Sequence, residues 1–245
     1  MNQVIIDAHC HVGTGFDMNL SVESLLEEMD KYSVSKSIIC TVDKYIAVDN
    51  KCGNDEILKY VHKYPDKLIG FASINPWYGK KAVNELRRCL KEGMKGLKLH
   101  PFLQGFILND KIVYPLIEEM GKCELPVYIH TGTLVCSEPF QLSHLAQEFP
   151  EVNFIMGHGG ATDLKNDVIL AMEQTGNIYV DTSTNAPGPL KEYIDNLGIE
   201  RIIFASNMPV SNIFPELEKI KMICTKKEDF NNIFNLNIKK LINIK

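Results

Sequence analysis

Eight short apolar runs, each followed by a segment of helical period, dominate this sequence. The runs fall at residues 4–11, 36–42, 68–75, 94–100, 126–130, 152–157, 177–181 and 201–205. Each is continuous rather than alternating, the pattern of a strand buried on both faces. Helices are expected between them at 21–32, 55–63, 79–92, 110–123, 140–149, 163–175 and 190–197. Ser21 is the expected N-cap of the first, with Leu25, Leu26 and Met29 on one face. A polar loop holding Lys44, Tyr45 and Gly53 leads into the second, which Pro65 ends. From Pro215 onward the chain reads as helix, interrupted at 225–227.

Strand and helix alternating in this way call for a parallel sheet, and eight units close naturally into a (β/α)8 TIM barrel. A chain of 245 residues fits one such α/β domain, taken as 1–245. The alternative, an open doubly wound sheet, lacks the GxGxxG expected after its first strand. No repeat, low-complexity tract or linker argues for a second domain.

In a parallel barrel every strand ends on the same rim, so polar residues far apart in sequence converge there. The strand ends carry His9 and His11, then Lys98 and His100, then His130, His158, Asp181 and Asn207. His9 and His11, one residue apart on a strand, point to the same side. Five of the chain's seven histidines lie at this rim, which points to a metal centre; His62 and His144 fall on predicted helices. Neutral imidazoles suit a borderline divalent ion, zinc first.

Composition removes other classes. The net charge is −5, and the 26 basic residues are spread along the chain, so no footprint for nucleic acid or an anionic membrane appears. Arginine occurs only at Arg87, Arg88 and Arg201, which leaves few bidentate clamps for carboxylate or phosphate. Seven cysteines without a CxxC pair read as reduced, mostly buried thiols of a cytoplasmic protein. No signal peptide and no membrane span is expected. The expected partners are a small-molecule substrate and, for assembly, a second copy in a homodimer.

The motifs DAHCH at 7–11, GLKLHP at 96–101, PVYIHTG at 126–132, FIMGHGG at 154–160 and FASNMP at 204–209 resemble the successive motifs of the amidohydrolase superfamily. The likeness is greatest to the amidohydrolase 2 branch, which holds the aminocarboxymuconate semialdehyde decarboxylase relatives. The resemblance implies a barrel with one divalent metal, commonly zinc. His9, His11 and His130 match ligand positions, and His158 matches a histidine that binds metal or contacts the metal-bound water. It further implies a water activated by the metal and a strand-eight aspartate as ligand or general base.

The chain departs from that pattern where Asn207 stands for the usual aspartate of GSDxP. An amide oxygen ligates weakly and cannot accept a proton at neutral pH. His158 is the best substitute base; alternatively the chain is a weakly catalytic relative that binds metal or ligand. Lys98 shares a strand face with His100. It either carries charge for the substrate, or pairs with Asp7, or is carboxylated and bridges a second metal. His100 and Trp77 are expected to contact substrate, with Tyr78, Phe102 and Phe106 in the same wall. The expected activity is metal-dependent hydrolysis of a C–N or C–O bond of a small organic substrate, with catalytic roles for His158 and Asn207. Non-oxidative decarboxylation of an unsaturated or aromatic carboxylic acid is the alternative.

Overall fold

The structure, a computed structural model, describes residues 4–244; residues 1–3, part of the stretch read for a signal peptide, lie outside them. Besides a short antiparallel pair (Gly13–Thr14 with Asn19–Leu20), eight barrel strands follow in chain order among the described residues: β1 (Ile6–His11), β2 (Lys36–Cys40), β3 in two pieces (Leu68–Gly70 and Ala72–Ser73), β4 (Leu97–Leu99), β5 (Val127–His130), β6 (Phe154–Gly157), β7 (Ile178–Asp181) and β8 (Ile202–Ile203). Each pairs in parallel with its successor. Within β3 the partner changes at Phe71. Its N–H donates to Ile39 of β2, while the N–H of Ala72 donates to Gly96 ahead of β4.

The ring closes between its last and first strands. Ala8 donates to the Phe204 carbonyl at 3.0 Å, Asn207 to that of His9 at 2.9 Å, and His11 to that of Met208 at 2.7 Å. The barrel is therefore complete, as the eightfold alternation predicts.

Side chains from the strands sort into two sets. Ile6, Ala8, Ile38, Ile69, Phe71, Tyr128, Ile155, Tyr179, Ile203 and Ala205 pack together inside the ring. Their neighbours, such as Ile39, Leu97, Leu99, Val127, Ile129, Phe154 and Val180, pack outward against helical residues including Leu25, Leu86, Ile117 and Leu142. Both faces of the barrel strands are thus covered, which is why the runs are apolar without alternation. The C-terminal residues Ile238, Leu241 and Ile242 join the inner set. Asn237 donates to the carbonyls of Ile199 and Ile202, so this segment covers the end at which the strands begin. The opposite rim is left for chemistry.

The connecting helices are α1 (Val22–Lys31), α2 (Asp43–Ala47), α3 (Asn50–Lys63), α4 (Lys80–Lys91), α5 (Pro101–Gln104), α6 (Tyr114–Cys123), α7 (Pro139–Glu148), α8 (Lys165–Glu173), α9 (Pro187–Leu197) and α10 (Ile213–Ile223). The C-terminal stretch adds α11 (Lys227–Asn231), a π-helical turn (Asn232–Leu236) and α12 (Asn237–Leu241). Ser21 caps α1 as expected, its Oγ accepting from Ser24 N–H at 3.0 Å. The break before Lys227 is also as expected.

Two expectations fail locally. The loop around Lys44, Tyr45 and Gly53 is α2 and the first turn of α3, because Gly53 serves packing and not a turn: a Cβ there would lie 2.6 Å from both Thr41 Oγ1 and Tyr45 Cβ. The fourth and eighth strands are shorter than the apolar runs, since Arg201 ends a 3-10 turn (Ile199–Arg201) and His100 caps α5. All seven cysteines are free, four of them buried. Among the described residues no helix is long and apolar enough to cross a membrane.

Gly53→Ala measures how tightly α2 and α3 are packed. On helix propensity alone the change gains about 1 kcal/mol, but the contact with the Tyr45 Cβ cannot relax by rotation. We expect a net loss of about 1–3 kcal/mol in urea denaturation, and a gain in stability would refute the packing argument.

Candidate active site

The register of β1 against β2 shifts between Asp7 and Cys10. The shift changes which side chains enter the barrel: Ala8 belongs to the inner set and Cys10 to the outer. His9 and His11, flanking Cys10, therefore face inward together. Asp7 turns away and accepts from the Ser206 N–H at 2.9 Å, the Ser206 Oγ at 2.5 Å and the Cys10 Sγ at 3.1 Å. It is committed to the β8 end, so the pairing of Asp7 with Lys98 considered from sequence does not occur.

Lys98 instead donates from Nζ to His9 Nε2 at 2.9 Å and sits 4.0 Å above the ring of Tyr128. The other nitrogen of His9 lies 2.9 Å from Tyr128 Oη. Tyr128 in turn donates to Asp181 Oδ2. His11 Nδ1 donates to the Thr41 carbonyl at 2.7 Å, which leaves its Nε2 with the lone pair. His158 Nδ1 meets Ser183 Oγ at 2.9 Å, and its Nε2 meets His130 Nδ1 at 2.9 Å. The His130 ring is stacked on that of His100, with centroids 3.7 Å apart.

The five rim histidines thus form one contiguous group, with His130 joined to His9 and His11 by way of His158. Ligand atoms of His9, His158 and Asp181 all lie within 4.8 Å of one another, as do those of His9, His11 and Cys40. Asn207 is 4% exposed and has a left-handed backbone with φ +56°. It lines a cavity of about 250 Å³ with His130, Thr131, His158, Thr184 and Val210. Trp77 stays outside the group: the residue is 60% exposed and its Nε1–H donates to the Gly105 carbonyl. It braces one rim loop against another, so the structure gives it no place beside the histidines. Phe106 is buried and Phe102 is exposed on α5.

Burial sets the electrostatics. It holds all five imidazoles below their ordinary range, His11 at about 3, and the charge of Lys98 pushes each of them in the same direction. Burial also brings the Lys98 ammonium down to about 8. Asp181 is raised by burial, against which donors from Ser183 and Tyr128 work. The group therefore presents neutral nitrogens with lone pairs, a buried cation and one buried carboxylate. That donor chemistry fits a divalent ion.

Sequence reading missed Tyr128 and Ser183. Tyr128 is two residues before His130 on the same strand and so shares its face, a signal that was available. It needs Gly157 beside it, where a Cβ would lie 2.6 Å from Tyr128 Oη.

The depressed imidazoles make stability acid-sensitive in a defined direction. Unfolded histidines take up protons below about pH 6.5, which the folded group excludes, so stability is full above that value and falls as pH drops through it. All five work in this direction, against the opposite contributions of Asp7, whose carboxyl is pushed up to about 6 by burial, and of Asp181, which burial also raises. Denaturant melts from pH 7 to 5 should show this slope. Equal steepness in a variant lacking His9 and His158 would contradict it.

Comparison with known proteins follows the same lines. The amidohydrolase family model matches residues 6–244. A 2-amino-3-carboxymuconate-6-semialdehyde decarboxylase of Dictyostelium discoideum is 22% identical over 199 residues, 64% of this chain and about 55% of the length of that relative. Among solved structures, the 2,6-dihydroxybenzoate decarboxylase from Rhizobium aligns with a TM-score of 0.79 at 17% identity, covering 99% of both chains. A dihydroxybenzoic acid decarboxylase from a Polaromonas species, bound to manganese and the inhibitor 2-nitroresorcinol, aligns with a TM-score of 0.81 at 17% identity, covering 99% of this chain and 97% of that one. With the family model spanning nearly every described residue of a closed barrel whose rim gathers the motif histidines, the chain belongs to the amidohydrolase family, in the amidohydrolase 2 branch.

Proposed function

We propose that this chain is a metal-dependent, non-oxidative decarboxylase of a small unsaturated or aromatic carboxylic acid. Asn207 carries the choice over hydrolysis. A hydrolytic water must give its proton to a base, and at the strand-eight rim an amide stands where the usual aspartate would take it, which leaves hydrolysis dependent on His158 as a substitute. Decarboxylation, R–COO⁻ + H⁺ → R–H + CO₂, consumes a proton and has no need of that base. The decarboxylases among the similar proteins support the same reading. C–N or C–O hydrolysis, the first expectation from sequence, becomes the second choice.

His9, His11 and His130 would hold the ion, with His158 at its edge. When bound, a divalent metal supplies a Lewis acid that anchors substrate oxygens and draws off electron density. Zinc is proposed on donor chemistry, because imidazole nitrogens predominate and the strand-eight carboxylate is replaced. Lys98, 1% exposed, is the cation available to a substrate carboxylate. The arginines are engaged elsewhere: Arg87 with Glu119, Arg88 with Glu85, and Arg201 with the carbonyls of Ile178 and Met172. His130 Nδ1 and His158 Nε2 lie 2.9 Å apart at the cavity wall, and the proton that the carbon takes up as CO₂ leaves is drawn from solvent. The amide of Asn207 can orient a substrate oxygen without competing for that proton.

Product analysis tests the reaction. Metal-loaded protein, offered a panel of phenolic and unsaturated acids beside esters, lactones and amides, should release CO₂ and leave a solvent deuteron on the product carbon. Incorporation of ¹⁸O from water without CO₂ would establish hydrolysis instead.

Asn207→Asp separates the readings again. Under decarboxylation the new charge faces the substrate carboxylate and raises KM several-fold. Under hydrolysis it supplies a base and raises kcat by about 10² or more.

A further inference from the structure

Asp181 collects more donors than any single ligand role requires. Its Oδ1 accepts from the Ser183 N–H at 2.7 Å, the Ser183 Oγ at 2.6 Å and the His158 N–H at 3.3 Å, and its Oδ2 accepts from Tyr128 Oη. A carboxylate accepts only, so both hydroxyl protons are directed at it. Each hydroxyl then has only lone pairs left for its other neighbour. For Tyr128 that neighbour is His9 Nδ1, and for Ser183 it is His158 Nδ1, each at 2.9 Å. Both rings must carry their proton on Nδ1, and both Nε2 atoms must keep their lone pairs.

We infer that Asp181 is the tautomer anchor of the centre: through Tyr128 on one side and Ser183 on the other, one buried carboxylate sets the protonation of His9 and His158 together. Consistent donors surround both. Lys98 Nζ, which has no lone pair when charged, donates into His9 Nε2, and His130 Nδ1 is free to donate into His158 Nε2. Tyr128 and Ser183 are positioning residues that act through the imidazoles. The tautomer assignment is independent of the metal reading, whereas its effect on metal affinity rests on that reading.

The test uses the full chain labelled with ¹⁵N-histidine, its rings assigned by single substitution and followed by two-bond ¹H–¹⁵N correlation near pH 7. In wild-type protein without metal, His9 and His158 should both show a protonated Nδ1. In a Lys98→Met background, which removes the second donor into His9 Nε2, Tyr128→Phe should release His9 alone, Ser183→Ala His158 alone, and Asp181→Asn both. Zinc affinity, measured against a competing chelator, should fall about 10- to 100-fold in Tyr128→Phe. A wild-type spectrum with Nε2 protonated on either ring overturns the assignment, and needs no variant to fold. So does an Asp181→Asn protein that loses zinc while both tautomers stay as they were, since that would make Asp181 a direct ligand. Correct tautomers in a chain that binds no zinc would overturn the metal reading and leave the anchor standing.

Discussion

Everything at the rim depends on a seam between the first and last strands. Asp7 accepts from the backbone and side chain of Ser206, 199 residues away, and so fixes β1 against the end of β8. The backbone bond from Asn207 to His9 is drawn from the same seam. Burying a carboxylate costs several kcal/mol unless donors surround it, and here the donors come from both strands it joins, Cys10 on one and Ser206 on the other. The cost of burial is thereby offset only when the barrel is closed. Closure and the placement of His9 are one event.

The barrel was legible because its cause is local and repeated. Each strand is covered on two faces, each run is therefore apolar throughout, and the helices between carry their own stripes. The rim was legible for a related reason, since strand ends are fixed once the runs are. What the runs could not disclose is side-chain pairing across the interior. Lys98 could have met Asp7 or His9, and only the shifted register of β1, which turns Asp7 outward, decides between them. Nor does a sequence show that Trp77 on a rim loop finds a carbonyl partner in Gly105 and stays in solvent. Gly53 misled for a different reason. Glycine was read as a signal for a turn, whereas the constraint there is the nearness of Tyr45.

The cavity wall also stores strain. His158, Ala161, Thr184 and Asn207, all of which line it, have positive φ without being glycine. Such conformations cost about 1–3 kcal/mol each and persist where surrounding contacts over-determine them. Here those contacts are visible: Asn185 holds the His158 carbonyl and Glu216 holds the Thr184 N–H. The wall is a rigid surface built at a cost, which suits a site that orients a small substrate more than one that reshapes around it.

His9 and His11 enter the barrel because the strand carries a single residue of slack between Asp7 and Cys10. The direction of the imidazole pair is thus a matter of phase, like a reading frame, and not of which residues are present. A lineage that trimmed one codon upstream of the pair would keep every histidine and yet aim both at the helices, silencing the centre with its motif still intact to any eye that scans for it.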